Sequence, residues 1–233
     1  MKLFAYISLI LISQLDIYPK TEEKWFSKSD FKAGKILLQG MDEDFKKYFY
    51  EEEEIILAQT IVFGELMRYN RYQDFVETKS LEEFYVSYGS EIINFSIGKF
   101  QMKPSFFEFL EQKQKGLNLH YSFTIQYQSS DETSQRIQRL KRLKSEEWQI
   151  RYLKLFMDMM YSTHPSLKSL KIEEKITLLS TAYNLGPQHK LSTLKEYAEV
   201  RQFPYGKNFP AQLQTSYASI ALEAYQYLKL ENQ

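Results

Sequence analysis

A mainly α-helical single domain is the fold class this sequence predicts, and three observations predict it. Long segments carry apolar residues at helical spacing, as in "SQRIQRLKRLKSEEWQIRYLKLFMDMMYS". Helix punctuation recurs: Gly89, Gly116 and Gly186-Pro187 close apolar runs, and Pro104 opens one. The chain has 233 residues, 43% of them hydrophobic and 16% aromatic, which suits one domain with its own core and argues against disorder.

Taken in order, the first residues "MKLFAYISLILISQLDIYPK" place Lys2 before an apolar run from Leu3 to Ile12. That run is short for a bilayer span but suits a signal-peptide core, so residues 1–15 are expected to be a leader and 16–233 the domain. No A-x-A cleavage site follows, and a buried N-terminal strand or helix is the alternative. "KTEEKWFSKSDFKAGKILLQG" is polar and mixed, with no element assigned. "DEDFKKYFYEEEEIILAQTIVFGELMRYN" reads as one long helix, apolar almost all round from Ile55 to Met67 and so buried on most sides. "ETKSLEEFYVSYG" reads as a second helix and "PSFFEFLEQKQKG" as a third. "HYSFTIQYQSSDETSQ" is ambiguous, with a short strand and then a polar loop as its expected content. The "SQRIQ…MMYS" helix follows and ends at "HPSLKSL". "KIEEKITLLSTAYNLGP" is another helix, and one over about Gln212 to Leu230 closes the chain.

Composition excludes several functions. Thirty basic residues balance thirty acidic ones, so no basic field points to nucleic acid. With no cysteine there is no disulfide, thiolate metal site, cysteine nucleophile or lipoprotein anchor. His120, His164 and His189 make no metal-ligand pair at helical spacing. No cofactor and no metal are expected.

Glu65 stands out because, at 100° per residue, it projects between Ala58, Ile61 and Val62. A bare carboxylate there is costly, so it must be paired, protonated or facing a cavity. One reading is an ion pair with Arg68 or a distant lysine. The other is a general acid, since an apolar pocket raises a glutamate's pKa. The Glu51–Glu54 run is a solvated face near a helix N-terminus instead. In "FSIGKFQMKPSFFEFLEQ", the small Ser96 and Gly98 suit a turn at the wall of a cleft. Gln101 offers both a donor and an acceptor, and Pro104 starts a helix.

Three islands stand in one order: Glu65 in "ILAQTIVFGELMRYN", then S-x-G-x-x-Q-x-x-P in "FSIGKFQMKP", then "STAYNLGPQ". This resembles the soluble lytic transglycosylase and goose-type lysozyme superfamily. The departures are Leu66, where the family places a serine, and long insertions between the islands. The resemblance implies a lysozyme-like fold with a small extended element near the cleft. It implies Glu65 as acid and then base. Ser96, Gly98 and Gln101 would line sugar subsites, and Tyr183 and Asn184 would contact the saccharide or hold the glutamate. It further implies peptidoglycan strands as partner, an exported periplasmic or surface location, and cleavage of the MurNAc–GlcNAc bond. A hydrolase would need a second acid, for which Asp74, Glu77 and Glu91 are the local candidates. A non-catalytic glycan- or protein-binding domain and a plain helical interaction protein are the competing readings.

Overall fold

The computed structural model describes residues 26–72, 79–116, 125–204, 206 and 214–231. The expected leader, Asp74, Glu77 and residues 120–124 of the ambiguous stretch lie outside the described residues; the rest of that stretch, 125–135, forms no strand and runs into a helix from Glu132. Helices α1 (Lys28–Gln39), α2 (Asp42–Tyr48), α3 (Glu52–Tyr72), α4 (Lys79–Tyr88), α5 (Pro104–Gly116), α6 (Glu132–Leu143), α7 (Glu146–Thr163), α8 (Ile172–Leu185), α9 (Leu191–Tyr197) and α10 (Tyr217–Glu231) follow one another, with a 3₁₀ turn at Pro165–Ser169. The protein is mainly α-helical. Extended pairing among the described residues is limited to two isolated bridges, Ile97 with Met102 and Phe203 with Thr215. No described helix is long and apolar enough to cross a membrane.

Two expected helices are each split, and two helices were not expected. The segment over 42–70 breaks after Tyr48, where Phe49 turns extended (φ −122°, ψ 124°) and is fully buried. Glu52, Glu53 and Glu54 then open α3 at its positive dipole end. The long amphipathic stretch breaks at Lys144–Ser145, because the Ser145 hydroxyl accepts from Trp148 N–H and starts a new helix. Apolar periodicity runs through both breaks, so spacing alone does not reveal them. Helix α1 sits in the stretch that reads as polar and mixed. Its signal is a capping box: Ser27 and Asp30 each satisfy the other's backbone N–H. The short α9 went unassigned as well, and its N-cap, Lys190, makes no side-chain cap hydrogen bond.

The helices form two groups. Around α3 pack α1, α8 and α10, with α9 on α8. Gly64 lets α10 approach: a Cβ there would lie 3.3–3.4 Å from Ile220, Phe203 and Tyr217. Around α7 pack α2, α5, α6 and the 3₁₀ turn, with α4 on α6. Phe107 of α5 stacks on Tyr152 of α7 at 3.6 Å between centroids. Helix α3 also touches α7, so one continuous apolar core runs through both groups. Full burial of each large side chain in it, such as Phe63 or Phe156, contributes roughly 1.5–3 kcal/mol.

Candidate functional site

A cavity of about 700 Å³ opens between the two groups. The C-terminal half of α3 supplies Glu65 and Arg68. The turn before α5 supplies Ser96, Gln101 and Lys103. The end of α8 supplies Tyr183, Asn184 and Gly186, and the segment before α10 supplies Gln202 and Phe203. The cavity thus brings together Glu65, Ser96, Gln101, Tyr183 and Asn184 from three separate parts of the sequence.

Gly98 is not among the residues that line the cavity. It sits at φ +72° in the four-residue turn closed by Ile97 and Met102, whose backbones exchange hydrogen bonds of 2.9 and 3.1 Å. A Cβ on Gly98 would overlap the Gln149 amide and lie 2.8 Å from the Leu143 carbonyl. The absent side chain therefore serves a close approach to α7 rather than to a ligand.

Gln101 is the one non-glycine residue at positive φ (+50°) among the described residues. Its backbone N–H and its side-chain Nε2 both donate to the Gly98 carbonyl, at 3.0 and 2.9 Å. One face of the amide braces the turn while the residue lines the cavity. The turn inserts Phe100 into the core, where it meets Phe45. Gln149, 0% exposed, accepts from Phe100 N–H at 2.8 Å, and the Tyr183 hydroxyl donates to the Phe100 carbonyl at 2.7 Å. Tyr183 therefore pins the cleft wall. The sequence reading passed over Gln149; a glutamine inside the apolar stripe of α7 was the available signal.

Glu65 is 5% exposed. Its Oε2 receives one hydrogen bond, from Arg68 Nη1 at 3.4 Å, long for a charge-assisted contact. The ion-pair partner expected at Arg68 is present, and Glu65 also lines the cavity. Burial raises the Glu65 carboxyl above the ordinary 4.5, against the opposing pull of Arg68 and, farther off, of Lys103. Burial also raises the hydroxyls of Tyr183 and Tyr217, and the Glu65 charge adds to both. Leu66, where the resemblance has a serine, is fully buried and faces the core.

Among the described lining residues Glu65 is the only carboxylate, and Arg68 and Lys103 are the only cations. Glu91 is exposed and does not line the cavity. No group of three or more His, Asp or Glu side chains suited to a metal ion occurs among the described residues. Phe106 meets Tyr183 edge to face at 5.5 Å and, with Phe109, supplies aromatic wall. Asn94 accepts from Ser105 N–H at the start of α5 and donates to the Ser105 hydroxyl. The arrangement is a polar cleft with aromatic patches over one desolvated carboxyl group. The chain matches no family model, no curated protein and no solved structure.

Proposed function

We propose that the protein is an exported, peptidoglycan-cleaving lytic transglycosylase of lysozyme-like fold. In this reading the Ile97–Met102 turn is the small extended element at the cleft, and Glu65 is the single acid and base. The observation that carries the proposal is the position of Glu65, desolvated at the wall of a cavity that Ser96, Gln101, Tyr183 and Asn184 also line.

The mechanism follows from the proton. Protonated Glu65 donates to the glycosidic oxygen between N-acetylmuramic acid and N-acetylglucosamine, and positive charge develops on the muramyl ring. The resulting carboxylate then takes the proton of the muramyl 6-hydroxyl, whose oxygen closes a 1,6-anhydro ring. Glu65 ends as it began, protonated. No second carboxylate is needed, which fits the single carboxylate among the described lining residues.

Muropeptide mass spectrometry after digestion of purified peptidoglycan tests this. The products should carry 1,6-anhydromuramic ends, and Glu65→Gln should lower turnover about 10²–10⁴-fold while glycan binding is retained. Reducing ends would point to hydrolysis. Equal digestion by Glu65→Gln would remove Glu65 from the mechanism. The buried Leu66 and the Arg68 contact favour a second reading, a cleft that binds glycan without cleaving it; peptidoglycan that is bound but left intact by the native protein selects it.

A further inference from the structure

The pairing of Glu65 with Arg68 sets a problem for any general acid. A carboxyl group that must carry a proton lies beside a guanidinium that favours its charged form. Arg68 is loosely held there. Of its five N–H donors one is used, on Glu65 at 3.4 Å, and the others have no partner among the described residues. Its side chain is 30% exposed and lines the cavity. Lys103, also lining, has no acidic partner within 4 Å among the described residues. Among the described residues the cleft thus presents two cations against one carboxylate.

We propose that Arg68 is a substrate-displaced counter-ion: the free lactyl carboxylate of a muramyl residue that carries no stem peptide draws Arg68 off Glu65, and Arg68 and Lys103 together receive that carboxylate. The inference rests on the reading of the cleft as a saccharide site. Glu65 then has no cationic hydrogen-bond partner and stays buried, so it takes one proton from water. The negative charge lost on Glu65 is replaced by that of the ligand, and the charge of the site is conserved. Among the described residues, the groups that face Glu65 are Arg68 on its own helix, Lys103 before α5, Tyr183 on α8 and Tyr217 on α10. The two tyrosines carry no charge near neutrality, so Arg68 is the adjustable element. Arg68 is a positioning and specificity residue, and an anionic sugar extends the pH range over which Glu65 holds its proton.

The test uses the full chain with ¹³C at the glutamate carboxyl carbons, the Glu65 signal being assigned by its absence in Glu65→Gln. N-acetylmuramic acid and N-acetylglucosamine serve as probes, because they differ by the lactyl carboxylate. The native protein should bind the acid sugar about fivefold more tightly, and Arg68→Met should lose that preference. Glu65 of ligand-free Arg68→Met should titrate at higher pH than in the native protein. N-acetylmuramic acid should move the native Glu65 titration upward toward that of the variant. Arg68→Lys, which keeps the charge without the planar fork, should recover part of the preference and replaces Arg68→Met if the latter does not fold. Equal or undetectable affinity for the two sugars, or a Glu65 titration that N-acetylmuramic acid leaves in place, overturns the proposal. None of these readouts needs turnover. Discrimination without peptidoglycan cleavage removes the enzyme reading alone, and cleavage without discrimination removes this inference alone.

Discussion

Two buried glutamates, one in each helix group, show how the same side chain serves different ends. Glu111, on α5, is 7% exposed, close to the 5% of Glu65. Arg139 grips its carboxylate through Nε (3.2 and 3.3 Å) and Nη2 (2.8 Å), and the hydroxyls of Tyr127 and Tyr152 donate to the same group. Arg139 also donates to Tyr85 at 2.7 Å, and Tyr85 donates to Glu108 at 2.8 Å. This network ties α4, α5, α6 and α7 together. Glu65, equally buried, has one long contact and an open cavity beside it. Saturation with partners makes a buried carboxylate a structural anchor, whereas scarcity of partners leaves it able to respond to what enters the cavity.

The largest effect should come from breaking the saturated site. Arg139→Met leaves the Glu111 charge buried without its guanidinium, and a loss of about 3–5 kcal/mol is expected by urea denaturation. A loss below ~1 kcal/mol would mean that the network is not a structural anchor.

A smaller effect should come from the cleft wall. Gly98→Ala forces a Cβ into the Gln149 amide at a positive φ, so roughly 2–4 kcal/mol of stability should be lost. The turn holding Gln101 and Phe100 should loosen with it, which an altered Phe100 amide shift by NMR would register. Tyr183→Phe should do less, about 1 kcal/mol, since it removes one hydrogen bond to the Phe100 carbonyl.

The smallest change in stability, and the sharpest contrast, belongs to Glu65→Gln. The folded-state pKa of Glu65 is raised, so the native fold holds a proton that the unfolded chain has released. Its stabilising contribution is complete below the ordinary 4.5 and declines as pH rises from there through the folded value. Glutamine does not titrate. Thermal melts should therefore show Glu65→Gln gaining on the native protein as pH increases from about 4.5. A difference in melting temperature that is flat with pH would mean that folding does not raise the Glu65 carboxyl.

The sequence by itself determined the helical class, most helix ends and the unusual position of Glu65. These depend on local spacing and on caps such as Gly89 and Gly186, whose backbone angles act within a few residues. It also carried Glu65, Ser96, Gln101, Tyr183 and Asn184 of the cleft as candidates, but not Lys103 or the aromatic wall. Only the tertiary structure decided that Gly98 packs on α7, that Tyr183 and Gln149 clamp Phe100 from two sides, and that α3 and α7 begin where they do. It alone decided that Glu111 is sealed by Arg139 while Glu65 meets a cavity. Burial and hydrogen-bond supply depend on partners tens of residues away, and no local pattern encodes how many of those partners arrive.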